Sequence, residues 1–171
     1  MDLQPQPCAR PARHVDPHAA QNALIAGTVV LTLDGALPAE FIHEGDRVIT
    51  RDSGMALVRL VRRRRAAIRA IGIRAGSLGN ARPDRDVTLP GAQEILIRDW
   101  RADALFGASQ ALVPAARLID GEFVRDLGEQ IVDVVELVFD APHILYADGL
   151  EVASAAVERA RAQPAKGCAK R

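Results

Sequence analysis

Few side chains in this 171-residue chain are of a type that does chemistry at neutral pH: four His and two Cys. His14 and His18 have the i, i+4 spacing of a metal pair on one helix face. Pro17 stands between them, so a helix is not expected there and no metal site is read. Cys8 and Cys168 lie in opposite flanks and suggest neither a disulfide framework nor a zinc site. His143 precedes an alternating apolar run and reads as a half-buried strand histidine hydrogen-bonded to backbone. Arg62, Arg63, Arg64 and Arg65, with Arg59 and Arg69 beside them, have the type to contact phosphates. No aromatic residue interleaves them, and they read as a solvated strand end that shields a sheet edge.

The elements that must carry these residues are short and mostly extended. Thr28 to Leu33 alternates, and Asp34-Gly35 is a tight hairpin signal because Gly accepts a positive φ. Pro38 opens a short helical turn, Ala39 to Ile42, and Arg47 to Thr50 is the next strand. Further strands are expected at Met55 to Val61, Ala66 to Arg74, Asp86 to Leu89, Glu94 to Trp100, Ala111 to Val113 and Glu122 to Arg125. Helical turns are expected at Ala102 to Phe106, ended by Gly107, and at Pro114 to Ile119. Gln130 to Asp140 is the longest strand candidate; both its faces are mostly apolar, which places it deep in a sheet. His143 to Ala147 is a strand closed by Asp148-Gly149, and Ser154 to Arg161 has a helical pattern. About ten short strands with small helical insertions predict an all-β domain.

Composition narrows the class. The hydrophobic fraction is 49%, and 22 basic side chains balance 22 acidic ones. No net field steers the chain to nucleic acid or anionic lipid, and no run is long and apolar enough to span a membrane. Residues 1–22, rich in Pro, Gln, Ala and Arg, read as a disordered leader without a secretory signal. The expected organisation is this leader, a β domain over 23–152, and a short helix with a basic tail over 153–171. A cytoplasmic monomer without cofactor or metal is the default expectation, with signal-less secretion open and no partner named by the sequence.

The run from Gly27 to Thr50 follows the pattern G-T-x-V-x-T-x-D-G-x-x-P-x-x-x-[IL]-x-x-G-D-x-V. It resembles the opening block of Hint domains, the self-cleaving module of hedgehog proteins and inteins, and is most similar to the bacterial hedgehog/intein-like type. The segment Val135 to Leu150 resembles the family's closing block of strand, His and strand, and Arg101 to Gly121 its short-helix insertion. The resemblance spans residues 23 to about 152 and implies a compact β fold and an N-to-S or N-to-O acyl shift.

It also implies where the catalytic groups belong. The family's nucleophilic Cys stands four residues before Gly-Thr, and that position is Ala23. A methyl group cannot attack a carbonyl. The Thr/Ser-x-x-His block falls on Pro90 and Gln93; Pro90 offers no hydroxyl, and Gln93 bonds an amide but delivers no proton. Thr88 fits only after a register shift that leaves no His behind it. His143 is retained in the closing block. The downstream Asn and nucleophile of splicing are missing, Ser154 being the only hydroxyl nearby. Some inteins begin with Ala and use a later Cys; the only downstream Cys is Cys168, 18 residues past Leu150. The resemblance therefore implies a degenerate autoprocessing domain, left as a scaffold or interaction module. An active domain with an atypical nucleophile and a basic nucleic-acid-binding module are the alternatives.

Overall fold

The Asp34-Gly35 turn closes a hairpin in the computed structural model, which describes residues 21–156. Strand β2 (Val29–Thr32) pairs with β3 (Gly35–Pro38), and Gly35 has φ +113°. Thr32 Oγ1 donates to Gly35 O at 2.7 Å and accepts from Asp34 N at 3.2 Å, so the turn's polar groups are satisfied locally. Before them, β1 (Leu24–Ile25) is a short strand. After them come a 3-10 turn (Ala39–Phe41), β4 (Arg47–Thr50) and β5 (Gly54–Leu57).

The expected strand Met55 to Val61 is divided. Val58 turns into the core, 1% exposed, and its N–H and C=O bond Asp46 O and Gly45 N. The chain then changes sheets and starts β6 (Leu60–Ile73), which runs for 14 residues. Its partner β10 (Val124–Val138) has 15 residues. The arginine run is therefore interior to a long ribbon and not a strand end. Arg62 lies opposite Glu136 in register, and Arg64 Nη2 reaches Glu136 Oε1 at 2.8 Å. The two shorter strands expected at Glu122 to Arg125 and Gln130 to Asp140 merge in β10 through a bulge between Asp126 and Glu129. Gly128, at φ +80°, carries that bulge. Only Val134, Val135, Leu137, Val138 and Phe139 of the second segment are buried, while Ile131 is 58% exposed. Among the described residues, no second layer covers the half of the ribbon around Ile131.

The remaining strands are β7 (Val87–Pro90), β8 (Glu94–Ile97), β9 (Ala111–Pro114), β11 (Ile144–Ala147) and β12 (Leu150–Ala153). Helix α1 (Trp100–Phe106) ends the strand expected over Glu94 to Trp100, because Asp99 caps it by accepting from Arg101 N at 2.9 Å. Gly107 closes it in the left-handed conformation, and a second 3-10 turn covers Ala115–Leu118. The described residues thus hold twelve strands, two more than the sequence suggested.

Two antiparallel sheets result. One has the order β1-β10-β6-β7; the other runs β3-β2-β4-β11-β12-β8-β9, with β5 added on β4. Val30, Val48, Ile95, Leu145 and Val152 from the second meet Ile71, Ile73 and Leu89 from the first in one buried core. Each such side chain contributes about 1.5–3 kcal/mol relative to exposure. Leu24 pairs with Val135, and Ala155 forms a parallel bridge to Val138. Ser154 to Ala156 is thus extended rather than the start of a helix, and the rest of that expected helix lies outside the described residues. His14, His18, Cys8 and Cys168 also lie outside them.

Candidate functional site

The turn between β7 and β8 carries two of the positions singled out in the sequence. Gln93 N donates to Pro90 O at 2.9 Å, and Gly91 N donates to Arg69 O at 2.7 Å. A Cβ on Gly91 would sit 3.3 Å from both Ala116 Cβ and Arg69 O, a tight approach that favours glycine. Pro90 pairs with Ala70 across β6 and β7. Ala70, in turn, packs with Ile68, Val134 and Ala23 in a small second core.

Gln93 is fully buried. Its Nε2 faces three oxygens: Ala153 O at 2.9 Å, Glu94 O at 3.0 Å and Asn22 Oδ1 at 3.4 Å. The opposite amide orientation would set Oε1 against those acceptors, so the three oxygens fix the orientation. The cost falls on Oε1, which is buried without a hydrogen-bond partner among the described residues. Such an orphan costs about 1–3 kcal/mol.

Asn22 completes the cluster, although the sequence places it in the leader. It sits at φ +55°, a left-handed conformation that Asn tolerates better than most residues. Its Oδ1 accepts from Glu94 N at 3.0 Å and its Nδ2 donates to Glu94 Oε2 at 3.0 Å. This two-sided clamp holds the peptide that enters Ala23. The Ala23 methyl is fully buried. Ala23, Pro90 and Gln93 are thus gathered where β1, β7, β8 and the end of β12 meet. Among the described residues, the groups that bond around Gln93 and Asn22 are amides and one carboxylate, beside the Ala23 methyl.

His143 belongs to the neighbouring layer. Its N–H donates to Ser154 Oγ at 3.0 Å, and Ser154 N donates to His143 O at 2.8 Å. Through that exchange it adjoins Ala153, whose carbonyl receives Gln93. The imidazole has a different partner. Nδ1 lies 2.5 Å from Asp52 Oδ2 and 3.3 Å from Ser53 Oγ, so the ring bonds a carboxylate rather than backbone. A carboxylate only accepts, which makes Nδ1–H the donor. Phe139 meets the ring edge-on, with centroids 5.6 Å apart. Burial pushes the Asp52 carboxyl up, but the Ile144 N–H, the His143 ring and its own N–H together outweigh it and hold it below the ordinary value. No local pattern signals this pair, since the residues are 91 positions apart. Asn22 had a local sign, its place immediately before Ala23.

The basic residues are spent largely on the fold. Arg59 grips Asp140 with two bonds of 2.8 and 2.7 Å, and Arg69 reaches Asp126. Arg63 donates to Ile42 O at 2.6 Å. Among the described residues no group of three His, Cys, Asp or Glu could hold a metal ion, and no helix is long and apolar enough to cross a membrane.

Comparison with known proteins agrees with the two-sheet β fold. The family model for the Hint domain matches residues 22–158. The bacterial intein-like domain from Clostridium thermocellum is similar in structure, with a TM-score of 0.53, 16% identity, and coverage of 80% of this chain and 100% of that one. A DnaB intein from Synechocystis has a TM-score of 0.51 at 12% identity, covering 78% and 98%. The DnaX mini intein from Spirulina platensis has a TM-score of 0.50 at 16% identity, covering 76% and 98%. At these identities the likeness is one of fold. No curated protein sequence matches the chain.

Proposed function

The chain belongs to the Hint domain family, and we propose that it is a member whose self-cleavage centre is inert and whose scaffold serves as an interaction module. The carrying observation is the fully buried Ala23 methyl where a nucleophile is required. An acyl shift begins when a thiolate or hydroxyl attacks the preceding carbonyl and the amide nitrogen leaves with a proton. Ala23 offers no attacking atom. Gln93 supplies N–H groups to carbonyls but no proton to a leaving amine, and all its donors are engaged. Pro90 adds no hydroxyl. His143 carries an imidazole, but its Nδ1 is turned to Asp52 and Ser53.

The alternative of a nucleic-acid surface on Arg59, the Arg62–Arg65 run and Arg69 loses support from pairing. Arg59, Arg64 and Arg69 face Asp140, Glu136 and Asp126.

The test is the intact mass of freshly expressed protein, with and without dithiothreitol. One species at the full 18.4 kDa, unchanged by thiol, is the expected result. Loss of residues 1–22 would mean that another group attacks and that the inert centre is wrong.

A further inference from the structure

The outer face of the smaller sheet holds a groove of about 440 Å³ whose floor is Gly72. Register explains it. Gly72 lies opposite Thr88 on β7 and Arg125 on β10, so the three residues share one face. Their neighbours Ile71, Ile73, Leu89 and Val124 point the other way, into the core. Arg74 N donates to Phe123 O at 2.9 Å, which carries the register one step further and sets Phe123 beside Arg74. At the bulge, Leu127 folds back toward the glycine: a Cβ on Gly72 would stand 3.1 Å from its Cδ1. The floor is thus bare backbone. Its apolar walls are Phe123 and Leu127, 42% and 46% exposed.

The polar groups around this groove are uncommitted. The Arg74 guanidinium and the Thr88 hydroxyl bond no side chain or backbone among the described residues. Arg125 donates from Nε to Glu122 O at 2.9 Å, which leaves its two terminal nitrogens open. Asp86 accepts from Ala75 N at 2.9 Å through Oδ1. Among the described residues none of these three charges is ion-paired. Two guanidiniums against one carboxylate leave the lining with one positive charge over.

From this juxtaposition we propose that the groove binds a small apolar monocarboxylate, its carboxylate between Arg74 and Arg125 and its apolar body on Gly72 between Phe123 and Leu127. A guanidinium fork matches a carboxylate in shape as well as charge. A singly charged ligand neutralises the lining, whereas a dianion also meets the Asp86 carboxylate. Absence of a side chain at Gly72 lets a flat apolar group lie against the sheet. The volume is within the range of about 300–1,000 Å³ usual for small-molecule sites. The site uses none of Ala23, Pro90 or Gln93 and does not depend on the scaffold being an interaction module.

The experiment titrates the full chain with phenylacetate and follows backbone amide shifts by NMR. Saturable shifts at Gly72, Thr88 and Leu127 are expected. Phenylacetamide, with the same body and no charge, should bind about tenfold more weakly or worse. Acetate, with the charge and no body, should lose at least as much. Arg74→Gln with Arg125→Gln should weaken phenylacetate about tenfold or more. Gly72→Val raises the floor against Leu127 and should abolish binding. Arg59→Gln, beyond the opposite end of β6, should leave it unchanged. Thermal melts of each variant separate lost binding from lost fold, and the ligand comparisons on the wild-type chain decide even where a variant does not fold. No saturable shift, equal binding of phenylacetamide, acetate or inorganic phosphate, or shifts centred elsewhere would each overturn the assignment.

Discussion

Gln93 donates its side-chain amide to the Ala153 carbonyl at 2.9 Å, tying the start of β8 to the end of β12. The same nitrogen reaches Asn22 Oδ1, so one neutral side chain joins the entry to the fold, its central turn and its last strand. The side chain read as standing at the family's proton-donor position is also the centre of this network.

Gln93→Ala removes those donors and opens a cavity at a fully buried position. The expected destabilisation is about 2–4 kcal/mol, read from urea midpoints at unchanged m-value. A loss under half a kcal/mol, on the order of a surface substitution, would show that the network contributes little.

Asn22 makes two distinguishable contributions, its left-handed backbone and its clamp on Glu94. Asn22→Gly keeps the backbone conformation accessible and loses only the clamp. Asn22→Ala loses both and should be less stable than the Gly variant by about 1 kcal/mol. Equal melting temperatures for the two would contradict the strained backbone.

Acid stability should report the contact between β11 and the β4–β5 turn. The Asp52 carboxyl is held below its ordinary value of 3.8 in the folded chain. A depressed carboxyl contributes stability above its unfolded pKa and loses it as pH falls through the folded one. Melting temperature should therefore fall more steeply below about pH 4 in the wild-type chain than in Asp52→Asn. Parallel curves would remove Asp52 from the acid response.

Restoring the family's catalytic types tests the centre directly. Ala23→Cys with Gln93→His and Pro90→Thr should yield thiol-dependent cleavage before residue 23, seen as a mass loss in gels and spectra. Ala23→Cys alone should remain intact, because no group then protonates the leaving amine. A folded triple variant that stays whole with dithiothreitol would count against the positional assignment.

Local signals were legible where a single residue type carries them. Asp34-Gly35 and Gly107 sit at the turn and the helix end that their conformational freedom suggested. The long ribbon was not legible, because four consecutive arginines look solvated, and only cross-strand partners such as Glu136 make them strand residues. Leu150 to Ala153 escaped notice for the opposite reason: all four residues are buried, Glu151 included, so no alternation appears. The His143–Asp52 pair depends on tertiary contact, which spacing along the chain does not encode.

Leu24 and Ala155 pair with Val135 and Val138, three residues apart on one strand. At about 3.3 Å per residue the chain enters and leaves the unit roughly 10 Å apart. A short linker would bridge that gap, so circular permutation should preserve the unit. For the same reason it could be grafted into an exposed loop of a host protein without prising the host's own ends apart.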